Sequence, residues 1–189
     1  MDLLKKRIQT DGTMIGNDIV KVDMFLNHQI DVELIQAIGL EFYNRFKEKQ
    51  ITKILTIEAS GIPIACMAAL YFKVPVLFGK KFTTDSHDDS VFVSDVYSFT
   101  KKQNYNIRVS KEFLNENDQV LIIDDFLANG QAIIGLLNIV TQAKSTVCGV
   151  GIVIEKGFQP GRKNIEEKGL HVESLAIVDS IKDGIIYFK

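Results

Sequence analysis

Cysteine is scarce here: the 189-residue chain holds only Cys66 and Cys148. Two thiols cannot build a disulfide framework, which excludes a small cross-linked secreted fold and suits a reducing compartment. Both are read as small, buried, apolar residues. Arginine is nearly as rare, with Arg7, Arg45, Arg108 and Arg162 alone. Phosphate recognition would therefore lean on lysine or on backbone amides. No excess of either charge sign exists, since 22 Lys+Arg against 24 Asp+Glu leave a net charge of −2. Without a broad basic face, nucleic acid is not expected as a partner. Long hydrophobic runs are absent too. The longest, Ile62 to Phe72, contains a proline and is far shorter than the roughly 20 residues that span a bilayer. The opening MDLLKKRIQTDG lacks the apolar run and cleavage site of a signal peptide. A cytoplasmic protein is expected.

What the chain has is an ordinary globular balance, 46% hydrophobic and 24% charged, at a length that suits one domain over 1–189. Its apolar periodicity alternates between two regimes. Asp31 reads as the N-cap of a helix through about Lys49, with Leu34, Ile35, Ile38, Phe42 and Phe46 on one face. Lys53–Ile57 reads as a strand, followed by a helix from about Ile62 to Phe72. A second strand, Val74–Phe78, carries Pro75, which suits an edge or strand-start position. Val120–Ile123 and Val147–Ile154 are strands apolar on both faces, with a helix from Gln131 to Ala143 between them. Strands of that kind separated by helices predict a mostly parallel twisted sheet flanked by helices, an α/β fold. Three pieces fall outside the alternation: the N-terminal 1–30, a long insertion over 82–108, and a C-terminal stretch of one or two edge strands. An insertion of that length signals a lid or binding loop.

Ligands of an open parallel sheet sit beyond the carboxyl ends of its strands. At one such end, VLIIDDFLANGQA, Asp124 and Asp125 close a buried strand. A short loop with Asn129 and Gly130 then enters a helix, whose N-terminal amides make an anion site. Two carboxylates beside an anion site suit a ligand with hydroxyls and a phosphate, such as ribose 5-phosphate. A plain strand end with a solvated Asp and an N-cap fits the same spacing. The end IEASGIPI offers Ala59, Ser60 and Gly61, where a glycine lets the backbone approach an anion; a common βα turn reads the same way. FGKK places Lys80 and Lys81 where a diphosphate could be met, as secondary candidates, since solvated surface lysines read the same way. His87 among Asp85, Asp88 and Asp89 reads as a solvated loop tip, because no second His or Cys lies at ligand spacing.

These stretches carry a resemblance. IIDDFLANGQA is similar to the phosphoribosyl-diphosphate motif of type I phosphoribosyltransferases. With NHQID near the start and VIEKGFQPGR near the end, the chain resembles the xanthine-using branch of that family over essentially its whole length. The resemblance implies a type I phosphoribosyltransferase fold in which 82–108 is a flexible hood, while 1–30 and 155–189 bind the base. It implies transfer of 5-phosphoribose from phosphoribosyl diphosphate (PRPP) to N9 of xanthine, giving XMP and diphosphate, with weaker use of guanine. Asp124 and Asp125 would serve as catalytic groups on the ribose hydroxyls. Ala128, Asn129, Gly130, Gln131 and Ala132 would bind the 5-phosphate, and Ala59, Ser60 and Gly61 the diphosphate. The branch shares Asn129 and Ala132 where other members carry Thr or Ser. Lys156, Val20 and Asn27 would contact the base, and Phe158 can stack on it. Tyr97 and Ser98, followed by Lys101 and Lys102, match the hood. Mg²⁺ would bind mainly through the diphosphate, and a homodimer is implied. The other function considered is a PRPP-sensing regulator of the same fold, for which the chain offers neither a winged-helix segment nor a basic surface.

Overall fold

A computed structural model describes every residue except 17–18, 84–87, 99–102 and 183, together with the Ser98 side chain. Thr84, Asp85, Ser86, His87, Lys101 and Lys102 therefore lie outside the described residues. The chain opens with helix α1 (Asp2–Asp11), the short hairpin β1 (Thr13–Ile15) and β2 (Ile19–Lys21), and a π-helical turn at Asp23–Asn27. Helix α2 (Val32–Phe46) follows, with Asp31 Oδ1 accepting from the Leu34 amide at 3.1 Å, as its N-cap position requires. Then come β3 (Lys53–Ile57), α3 (Gly61–Phe72), β4 (Val76–Phe82), β5 (Val91–Ser98) and β6 (Gln103–Ser110). A 3₁₀ turn at Lys111–Phe113 leads to β7 (Gln119–Leu127), α4 (Gln131–Gln142), β8 (Thr146–Lys156), α5 (Gly161–Glu166), β9 (Val172–Lys182) and β10 (Ile185–Phe188).

The large sheet runs β10-β9-β8-β7-β3-β4-β6-β5. Its centre from β9 to β4 is parallel, and antiparallel hairpins close both edges. Alternating side chains of β7 feed two cores: Leu121 and Ile123 join α2 and α3 on one face, and Val120 and Ile122 join α4 on the other. On the first face the sheet meets α2 closely. A Cβ at Gly151 would come within 2.8 Å of the Phe42 ring, so glycine lets the aromatic lie against the strand. No described helix is long and apolar enough to cross a membrane.

Several boundaries differ from the sequence reading. Strand β7 runs on through Leu127, so Asp124 and Asp125 lie within its last residues, and Asp124 pairs with Ile152 of β8. Strand β4 starts after Pro75 and continues to Phe82, because Lys80–Phe82 pair with Asn106–Arg108 of β6. The insertion is a β-hairpin, Val91–Ser98 against Gln103–Ser110. The cysteines are not buried: Cys66 is exposed on α3, and Cys148 is half-buried with Sγ 3.5 Å from the Gln50 carbonyl. Position 66 falls on the one face of α3 that no sheet or helix covers, which sequence apolarity alone could not reveal.

Candidate active site

Strands β8, β7, β3 and β4 lie side by side and parallel, so their carboxyl ends share one edge of the sheet, with the Asp pair near the end of β7. Asp124 is buried, and an ideal Cβ on Gly61 would lie 3.4 Å from its Oδ1, so the start of α3 stands directly beside it. That same Cβ would lie 2.0 Å from Thr56 Oγ1, a buried hydroxyl without a partner among the described residues, so a larger residue at 61 would force Thr56 to move. Burial, then the neighbouring Asp125 charge, pushes the Asp124 carboxyl well above the ordinary carboxylate range; the Asp125 amide and the Lys81 ammonium work against this. Burial also raises the Asp125 carboxyl, opposed first by the Phe126 amide.

The loop after β7 is built to present amides. Gly130 takes φ +82°, the left-handed conformation that favours glycine, and opens α4. Its carbonyl accepts from Ile134 at 2.9 Å as the first bond of the helix. Gln131, Ala132 and Ile133 sit in the first turn, where N–H groups have no intrahelical acceptor. The Asn129 and Gly130 amides likewise have no acceptor among the described residues. A cluster of N–H groups at a helix start attracts an anion.

The diphosphate-loop candidates behave similarly. Ser60 occupies the N-cap of α3, yet its hydroxyl caps nothing and stays available. Glu58, unassigned from sequence, accepts the Lys81 amide at 2.5 Å and ties this loop to β4. The lysine pair splits. Lys81 acts electrostatically on both aspartates and lies 5.8 Å from the Tyr105 ring centre. Lys80 instead lines a mainly apolar cleft of about 750 Å³ with Phe82 and Arg108, so it is not brought to the pair. Tyr105, also missed from sequence, has its phenol raised by burial and then by the Asp124 charge. Together with Tyr97 and Gln131 it lines a polar cleft of about 580 Å³ between the hairpin and the start of α4. Ser98 ends β5 opposite Gln103.

On the base side, Lys156 is the last residue of β8 and Phe158 is 42% exposed just beyond it. Val20 is buried on β2, and Asn27 is exposed at the end of the π-helical turn. Phe25 and Leu26 anchor that turn in the core that also takes Ile154 and Val178. Next to Lys156 is a polar network centred on Glu155 that no motif in the sequence signals. The Glu155 carboxylate, 3% exposed, accepts from Arg162 Nε at 2.9 Å, Arg162 Nη2 at 2.6 Å and Ser174 Oγ at 2.5 Å. A buried carboxylate satisfied by a guanidinium fork and a hydroxyl makes a rigid seat.

The phosphoribosyl transferase domain model matches residues 21–180, and the chain belongs to that family. Within it, the chain is 62% identical to xanthine phosphoribosyltransferase of Clostridium novyi, covering all of both chains. It is 57% identical to the protein of that name from Ruminiclostridium cellulolyticum, over 100% of this chain and 99% of the other. Among solved structures, adenine phosphoribosyltransferase of Rhodothermus marinus superposes with TM-score 0.76 at 19% identity, covering 94% of this chain and 100% of that one. The Trypanosoma brucei enzyme, solved with AMP, pyrophosphate and ribose-5-phosphate, gives 0.74 at 19% identity over 92% and 78%. At that identity the likeness shows the fold alone.

Proposed function

We propose that this chain transfers the 5-phosphoribosyl group of PRPP to N9 of xanthine, forming XMP and diphosphate in purine salvage. The observation that carries the reading is the Asp124–Asp125 pair, with Asp124 buried, standing between the glycine-marked starts of α3 and α4. Full-length relatives named for xanthine support the choice of base, and nothing comparable supports a PRPP-sensing regulator.

Departure of diphosphate leaves positive charge on the ribose ring, and the site is arranged for that charge. Asp124 and Asp125 accept the ribose hydroxyl hydrogens and hold the developing cation. The amides of Ala128–Ala132 wrap the 5-phosphate. Ala59, Ser60 and Gly61 meet the diphosphate, with Lys81 beside them. The donor set fits Mg²⁺ held chiefly through substrate oxygens: two adjacent carboxylates are present, and no three-residue ligand cluster occurs among the described residues. Bound there, Mg²⁺ would neutralise the leaving diphosphate. The hairpin carrying Tyr97 and Ser98 closes over the ligand and excludes water that would capture the ring. Lys156 binds the 6-oxo group, Phe158 stacks on the purine face, Val20 packs against it, and Asn27 reaches the 2-oxo edge. Two free thiols suit the cytoplasmic setting such an enzyme would have.

The base contacts are separable. Hypoxanthine has no 2-substituent, so Asn27→Ala should lower kcat/KM for xanthine by roughly ten- to a hundredfold and spare hypoxanthine. Lys156→Ala should depress xanthine, guanine and hypoxanthine together. Equal losses for all three bases in Asn27→Ala would contradict this assignment.

A further inference from the structure

We infer that Asn164 is a positioning residue for the 5-phosphate: its side-chain amide holds the Asn129 carbonyl away from the ligand, so that the loop faces the phosphate with N–H groups alone. The inference rests on the phosphate-loop reading above and extends it to a residue outside the loop. A loop that binds an anion through its amides must place its carbonyls elsewhere, because a carbonyl oxygen turned toward phosphate repels it and is itself left unpaired. The structure accounts for the three that precede α4, those of Ala128, Asn129 and Gly130. Ala128 O accepts from the Gly161 amide at 3.0 Å, and Gly130 O accepts from Ile134 inside α4. The middle one, Asn129 O, lies outside any helix or strand and accepts from Asn164 Nδ2 at 3.1 Å. Of the three, this is the one held by a side chain, and so the one that a substitution can release.

The contact also joins two halves of the site. Asn164 lies on α5, which begins directly after the base-side residues Lys156 to Pro160. The helix presses on the loop without room for a side chain: a Cβ on Gly161 would lie 2.3 Å from Ala128 O, and one on Gly130 would lie 3.3 Å from Gly161 O. Arg162 of the same helix is fixed to Glu155, next to Lys156. Base segment and phosphate loop therefore share one short helix, and Asn164 is its polar contact with the loop's middle residue.

The test compares Asn164→Leu, which keeps volume and removes the donor, with Asn164→Ala in case the leucine disturbs packing. Calorimetric binding of ribose 5-phosphate should weaken about five- to tenfold, the scale of one lost hydrogen bond. Amides of Asn129–Ala132 should exchange faster in the ligand-free variants, while exchange in β7 and β8 stays unchanged. In turnover, KM for PRPP should rise while KM for xanthine at saturating PRPP moves less than about twofold. A general structural role predicts parallel losses at both substrates. Unchanged ribose 5-phosphate affinity, or equal weakening of both substrates, would overturn the inference. Failure of the unmodified protein to bind ribose 5-phosphate would instead overturn the phosphate-loop reading before Asn164 enters.

Discussion

Asp124 is a residue whose ionised form the fold opposes. Its carboxyl is raised by burial and by Asp125, so the folded chain binds its proton more tightly than the unfolded chain does. The sign follows from linkage. Stability contributed by the protonated group is fully present below the ordinary carboxylate range and is lost as pH rises through the raised value. Asp124→Asn removes that opposition, because a neutral amide of similar shape needs no ionisation. The variant should therefore melt higher than the unmodified protein near neutral pH, and the difference should shrink toward the ordinary carboxylate range. Transfer should fall by orders of magnitude, since the lost charge faces the developing cation. Thermal melts at several pH values, paired with product assays, check both. A lower melting temperature throughout with normal turnover would contradict this role for Asp124. The doublet itself was legible in IIDDFLANGQA. What the motif does not show is which lysine of FGKK acts on it: Lys81 does so, on a β4 extended to Phe82 by its pairing with β6.

Helix α3 carries the clearest element-scale consequence. Ile62 to Phe72 is apolar on every side, yet only one face meets α2 and the sheet, leaving Leu70 68% exposed beside Cys66. We propose that this face receives a second copy of the chain in the homodimer that the family resemblance implies. Sedimentation should show a dimer at micromolar concentration and a monomer for Leu70→Asp. A monomer for the unmodified protein would contradict the dimer. The central strands were legible because both faces are apolar, as the division of Val120–Ile123 between two cores shows. Their ends were not. The charges at 124 and 125 imitate a turn, whereas the ladder to β8 carries the strand on to Leu127. The six-residue α5 escaped notice for a related reason: GRKNIE is short and polar, and its importance comes from what it touches at Ala128 and Asn129.

At the scale of the whole molecule, the site is assembled from distant parts of the chain. The Met1 ammonium donates to Leu175 O at 2.6 Å and Lys5 Nζ donates to Lys189 O at 2.8 Å, so the two termini meet on one side of the sheet. The base contacts we propose likewise draw on both ends of the chain, Asn27 from the first thirty positions and Lys156 from the last thirty-five. The residues we assign to PRPP instead come from the middle of the chain, on loops set by the parallel strands. The fold is shared with adenine phosphoribosyltransferases and so leaves base choice open, and we propose that Lys156 and Asn27 decide it. Adenine lacks the 6-oxo acceptor for Lys156, and hypoxanthine lacks any group for Asn27. The direct measurement is kcat/KM of the unmodified protein with PRPP and Mg²⁺ for xanthine, guanine, hypoxanthine and adenine, following nucleotide and diphosphate together. Xanthine should give the highest value with one diphosphate per XMP, guanine a lower one, and adenine none. Adenine turnover matching that of xanthine, or no XMP at all, would contradict the account.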